Sequence, residues 1–298
     1  IWEKPIHTIK LMSLLLDLKR ECHIGLKFHF ELNMDFNKNK ELYLVLEKAE
    51  EFDITVNGYR VDYRDIGWWR DISFKKVDIR LHVRTGVNEV VLQRRFYQSP
   101  HIYHVLYGEN VHETEANKIT YDVELESIYL LGDFCVFSKS GYADGERRAV
   151  FTDGPFEVKD AVEYVSAGDL TKQGFCCFSG SIKLGQELKL DKTSGTKYIL
   201  DLGKPHAAVT KLYVNKRLAG IFPWRPYQAD ITDFLENGTN QIEVELFSGN
   251  RNLLGPHHYV LGESYYVGPS TFSDKPGWAD FGLTDIWRDR YCFVRFGL

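Results

Sequence analysis

Cysteine is scarce in this chain, and the five present (Cys22, Cys135, Cys176, Cys177 and Cys292) form no pattern. Their odd number argues against a disulfide framework, and the lack of a CxxC or Cys/His spacing argues against a zinc site. Reduced, buried thiols are the expectation, which leans towards a reducing, cytoplasmic compartment. There is also no dense stripe of Lys and Arg, and the net charge is -5. Nucleic-acid binding rests on phosphate neutralisation, so that class is excluded. Long apolar runs are missing too. Leu14-Leu15-Leu16 is too short to span a bilayer and is followed by no export-signal cleavage pattern, so no membrane role is expected. No nucleophile elbow, phosphate loop or zinc-hydrolase motif occurs.

What the chain does contain is a repeat. Residues 42–92 run Leu-Tyr-Leu-Val-Leu, Val56-Asn57-Gly58, Trp68-Trp69-Arg70, Val77-Asp78-Ile79 and Gly86-Val87-Asn88. Residues 197–246 answer with Tyr-Ile-Leu-Asp-Leu, Val214-Asn215-Lys216, Pro223-Trp224-Arg225, Ala229-Asp230-Ile231 and Gly238-Thr239-Asn240. Matching Tyr43 with Tyr198, Asn57 with Asn215 and Asn88 with Asn240 keeps the blocks in order while the offset drifts, as loops between paired strands would allow. At 298 residues, two domains of about 150 residues each fit.

Alternation sets the class. Leu26, Phe28, Phe30, Leu32, Met34 and Phe36 share one parity, with polar residues between, which predicts a long strand with one buried face. Further strands are expected at 41–47, 52–57, 77–83, 88–96 and 127–137. In the second copy they are expected near 175–190, 197–202, 209–215, 241–247, 259–267 and 290–296. An amphipathic helix over residues 5–22 precedes them. The polar, glycine-punctuated stretch Ser138–Arg148 reads as a connection. The expected organisation is therefore all-β: a connector helix at 1–23, an antiparallel β-sandwich at 24–140 and a second at 150–298.

Aromatics make up 14% of the chain. Strands favour them, so a β-rich core accounts for much of this, and a surface that stacks on sugar rings is the sharper alternative. Sugar recognition needs an aromatic face against ring C–H groups and planar polar groups for neighbouring hydroxyls. Trp68, Trp69 and Asp71, with Trp224, Arg225 and Tyr227, supply both kinds. The competing reading is that each Trp plugs its own sandwich while the Arg pairs locally, and recurrence in both copies is compatible with either. Asp78 and Asp230 read as caps of short helical turns, and Asn57 and Asn215 as turn residues. His257 and His258 point to opposite faces of a strand, so they make a poor chelating pair, and a loop contact is expected for His257. Glu109, Glu113 and Glu115 tempt a catalytic assignment, but a solvated loop is the expectation.

Several stretches together resemble the C-terminal region of large bacterial glycoside hydrolases of the α-L-rhamnosidase type, family 106 and relatives. Those proteins end in jelly-roll modules like the family 2 sugar-binding, or galactose-binding-like, domain. The residues carrying the resemblance are Gly67-Trp68-Trp69-Arg70-Asp71, Ile128–Phe134, Gly168-Asp169-Leu170 with Gln173-Gly174-Phe175, Asn252–His258 and Phe293–Leu298. It implies tandem jelly-roll sandwiches that bind carbohydrate or buttress a catalytic domain of the same polypeptide. The catalytic barrel of that family needs about 250 residues, whereas only residues 1–23 precede the first expected strand here. No catalytic residue is therefore carried over, and an autonomous carbohydrate-active enzyme is the least favoured alternative. Calcium held by loop oxygens would suit the resembled fold, although no loop has a diagnostic ligand pattern.

Overall fold

The structure is a computed structural model that describes residues 6–37, 40–255, 257–264 and 282–298. Antiparallel sheets dominate it, as the alternation predicts. The chain divides into two compact units, one built mainly from residues up to Phe134 with Phe156–Asp160, the other from Cys135–Pro155, Ala161–Tyr266 and Ile286–Leu298. Among the described residues, no helix is long and apolar enough to cross a membrane.

In the first unit, one sheet orders the strands Tyr59–Val61, Asp53–Val56, Gly86–Phe96, Cys22–Leu32 and Phe156–Lys159. The other orders Trp68–Trp69, Asp71–Asp78, Leu42–Glu47 and Tyr129–Gly132. Leu26, Leu32, Ile54, Val56, Val90 and Leu92 from the first sheet share one buried cluster with Leu42, Leu44, Leu46 and Val77 from the second. Burying such side chains from two faces against each other is what makes a sandwich, at about 1.5–3 kcal/mol for each large one removed from water.

The second unit repeats the central strands of the scheme. Ser181–Leu190, Gly238–Phe247, Val209–Val214 and Arg217–Phe222 form one sheet, and Ile199–Asp201 pairs with Gln228–Asp230. Leu212, Val214, Val244 and Leu246 are buried with Ile231 and Leu235. The registers match as well. Leu32 lies opposite Gly86 as Leu190 lies opposite Gly238, and Val56 lies opposite Val90 as Val214 lies opposite Ile242. The duplication thus reaches back to Cys22–Leu32 and Ser181–Leu190, a strand pair in which the sequences retain only the apolar alternation.

The register corrects one sequence match. Ile79 N–H donates to Leu42 O as Ile231 N–H donates to Tyr198 O, so Tyr198 corresponds to Leu42, not to Tyr43. Inward-facing positions, not residue identity, govern the pairing.

Other expectations shift locally. The N-terminal helix is Thr8–Asp17, and Cys22 opens the first strand instead of closing the helix. That strand ends at Leu32. The segment expected as a strand at 77–83 is a turn beyond Asp78, the strand itself being Asp71–Asp78. Two helices went unforeseen, Pro100–Tyr107 and the single turn Glu113–Ala116, so Glu113 and Glu115 stand exposed on a helical turn and not in a loop. The stretch expected as a connection contributes the short strand Ala143–Asp144 and the turn Glu146–Arg148. The strand expected at 259–267 is seen as His257–Tyr259, and residues 265–267 lie outside the described set. All five cysteines are free thiols.

Candidate functional site

The two Trp-Arg motifs fold differently. In the first unit, Trp68 pairs with Lys75 and Trp69 with Asp71, so Arg70 sits at the tip of a tight hairpin with φ 65°. The guanidinium of Arg70 lies 5.5 Å from the Trp69 ring, whose other neighbour is Tyr129 at 5.8 Å. The Asp71 carboxylate accepts from the N–H and hydroxyl of Ser73, which holds it below the usual carboxylate range. Trp69 and Asp71 are therefore occupied with local structure. Trp68 is half exposed, at 52%.

In the second unit there is no such hairpin. Trp224 and Arg225 lie in a bend ahead of a cis Arg225–Pro226 bond, and the chain then enters Gln228–Asp230. Trp224 is 74% exposed and packs into no core. The likeness of the two motifs is one of sequence and not of backbone.

Arg225 and Tyr227 line an open cleft of about 540 Å³ that lies wholly within the second unit. Its wall is the loop Lys204-Pro205-His206-Ala207. Three contacts fix that loop. Leu202 N–H donates to Tyr227 O at 2.9 Å, Gly203 N–H donates to the Asp201 carboxylate at 2.7 Å, and His206 N–H donates to Gly297 O at 2.8 Å. The match of Leu46 with Leu202 and of Asn57 with Asn215 places two extra residues between these points in the second copy, and the cleft loop falls there.

Arg147 and Arg148 form the opposite rim. Both adopt left-handed backbone, with φ 50° and 70°, a conformation that costs a non-glycine residue free energy. Arg148 O is held by Arg295 N–H at 2.9 Å, and Arg147 Nε donates to Glu263 O at 2.7 Å. The carboxylate of Glu263, the one acidic side chain lining the cleft among the described residues, takes two N–H groups of Arg251 at 2.5 and 3.0 Å. Burial and the nearby charges of Arg148, Arg295 and Lys204 push His206 below the ordinary imidazole value, with Asp169 opposing.

Chemically, the cleft offers guanidinium forks, an ammonium and a phenol ring, which suit hydroxyls and anionic oxygens. Hydrolysis of a glycoside needs two carboxylates flanking the bond, and the one lining carboxylate is already paired with Arg251. Of the residues expected to bind, Trp68, Trp69 and Asp71 lie in the first unit, and Trp224, Arg225, Tyr227 and His257 in the second. Of these only Arg225 and Tyr227 line the cleft. His257 belongs to the His257–Tyr259 strand opposite Cys292, and its side chain lies outside the described set. His258 stacks on Trp287 at 4.6 Å. Among the described residues no three His, Cys, Asp or Glu side chains are grouped to hold a metal ion.

Sequence reasoning did not single out Arg147, Arg148, Lys204 or His206. The Arg-Arg pair was read as part of a connection, and the two-residue lengthening before Val209 was the signal that could have located the cleft.

No protein-family model matches the chain, and no curated protein sequence matches it. Among solved structures, Streptomyces avermitilis α-L-rhamnosidase complexed with L-rhamnose is similar over 80% of this chain and 23% of its own, at 15% identity and a TM-score of 0.29. A rhamnosidase from Novosphingobium sp. PP1Y is similar over 95% of this chain and 26% of its own, at 16% identity and a TM-score of 0.25. A glycosyl hydrolase family 2 member from Bacteroides cellulosilyticus is similar over 76% and 22%, at 11% identity and a TM-score of 0.24. The chain spans about a quarter of the length of these proteins.

Proposed function

We propose that this chain is a non-catalytic accessory region of a carbohydrate-active enzyme of the α-L-rhamnosidase type, and that its second unit binds saccharide. The observation that carries the reading is the cleft lined by Arg225 and Tyr227, with Trp224, the chain neighbour of Arg225, exposed and unexplained by packing. An exposed aromatic ring next to planar hydrogen-bonding groups is the combination that sugar rings require. The motif resemblance set out above points the same way. In the first unit, the packing of Trp69 on Tyr129 and the local bonding of Asp71 favour a structural part for the hairpin.

Calorimetric titration of the chain with a panel of plant and microbial oligosaccharides, with product analysis on the same samples, tests this. Saturable heat without cleavage is the expected result. Turnover by the chain alone would replace the accessory reading with an enzymatic one, and silence across the panel would remove the binding role.

A further inference from the structure

The cleft carries more positive charge than its surroundings neutralise. Arg148, Lys204 and Arg225 line it, and none of the three forms an ion pair among the described residues. Of the acids nearby, Asp169 accepts from Thr171 N–H and opposes the cations at His206, and two more are paired with cations. Glu263 is bound by Arg251, and Asp144 by Lys172 at 2.6 Å and Arg295 at 3.2 Å. The whole chain has a net charge of -5, so this excess of cations is local.

The corresponding stretch of the first copy differs. There, after Leu46, the chain carries Lys48, Glu50 and Glu51, and Glu51 pairs with both Arg94 and Lys48. In the first copy Glu51 is paired, while the lengthened second-copy loop brings Lys204 and His206 to a cleft rimmed by arginines. Arg147 and Arg148 hold left-handed backbone to stand there. Strain of that kind persists only where the surroundings fix it. The lowered protonation of His206, caused by burial first and then by Arg148, Arg295 and Lys204, agrees with a positive potential at the cleft wall.

Resting on the reading that this cleft takes a saccharide, we infer that it selects saccharides bearing an anionic group, a uronate carboxylate or a sulfate ester, seated between Arg148, Lys204 and Arg225. Guanidinium forks match the two oxygens of either group, and charge-assisted hydrogen bonds are about twice as strong as neutral ones.

Calorimetry on the intact chain with a short oligogalacturonate, a sulfated galacto-oligosaccharide and a neutral galacto-oligosaccharide of equal length tests it. The expected result is that an anionic probe binds at least about tenfold more tightly than the neutral one at low salt, an advantage that shrinks as salt rises. Whichever anionic probe binds better identifies the group. In the R148Q/K204Q double variant the advantage disappears while the melting temperature holds, because both side chains are exposed. Arg225→Gln, as a second variant, weakens it in the same direction. Equal affinity for anionic and neutral probes overturns the inference and leaves the saccharide site standing, as does an anionic advantage that survives in both variants. Absence of binding to all three probes overturns the inference together with the reading beneath it.

Discussion

The side-chain amide of Asn215 donates to the side-chain oxygen of Asn240 at 2.8 Å, and Asn57 donates to Asn88 at the same distance. Each pair is embedded in the same set of backbone contacts. Asn57 Nδ2 also reaches His82 O, and Asn215 Nδ2 reaches Phe234 O. The Oδ1 of Asn57 accepts from Glu89 N–H, and that of Asn215 from Gln241 N–H. Asn88 and Asn240 are both 0% exposed and both stitch the turn before their own strand. Buried amides persist only when satisfied, so these pairs lock the turns that shape each sandwich.

Asn88→Ala and Asn240→Ala therefore each strand several buried partners, and each is expected to cost about 2–4 kcal/mol. Denaturant unfolding followed by intrinsic fluorescence measures this. A loss below about 0.5 kcal/mol, the range of an ordinary surface change, would show that the pair is not structural.

Gly297 ties the cleft wall to the core. Its carbonyl accepts from His206 N–H, and its φ of +147° places an added Cβ 1.9 Å from Gly168 O. Backbone cannot yield as a flexible side chain does, so Gly297→Ala is expected to cost about 3 kcal/mol or more. Thermal denaturation checks it, and an unchanged melting temperature would contradict the geometry.

The two tryptophan motifs should separate in experiment. Trp224→Ala removes saccharide affinity and leaves stability within about 0.5 kcal/mol, because the ring is exposed. Trp69→Ala leaves affinity intact and lowers stability by about 1–3 kcal/mol, because the ring packs on Tyr129. Paired titration and melting data decide, and the reverse pattern would move the site to the first unit.

Acidification should strengthen anionic binding. His206 is held below its ordinary value of 6.5 by burial and by Arg148, Arg295 and Lys204, with Asp169 the one opposing charge. A bound anion favours the protonated ring, so affinity rises as pH falls below that value, until the ligand's own carboxylate titrates at about pH 4. For folding the sign is opposite. The unfolded chain binds this proton more readily, so the His206 contribution to stability is present at neutral pH and is lost as pH falls through that window. His206→Asn should flatten the affinity profile between pH 7 and 5 as measured by calorimetry. A profile that keeps its slope would exclude His206 as the responsible group.

Much of the fold was legible because alternation records burial directly. Leu26, Leu32, Ile54 and Val90 all lie in the buried cluster, as their strand patterns required. The register was less legible, since Tyr43 and Tyr198 share identity while backbone pairing places Leu42 opposite Tyr198 in the repeat. Asn57 and Asn215 were read as turn residues and do take left-handed backbone with φ 50°, but their buried partners lie 31 and 25 residues away, beyond any local pattern. Asp230 accepts from Thr232 N–H at 3.1 Å and Asp78 from Arg80 N–H at 3.0 Å, as caps would, and Asp78 also pairs with the Arg80 guanidinium. The cleft was half legible. Arg225 and Tyr227 stood out by composition, whereas Arg148 and Lys204 lie 56 residues apart and converge only through the fold.

The most direct test of the account is a crystal structure of the chain soaked with the tightest-binding saccharide from the calorimetric panel. The account predicts sugar density in the second-unit cleft, with an anionic group between Arg148, Lys204 and Arg225 and a ring near Trp224 or Tyr227. Density at the Trp68–Trp69 hairpin with an empty second-unit cleft would contradict it.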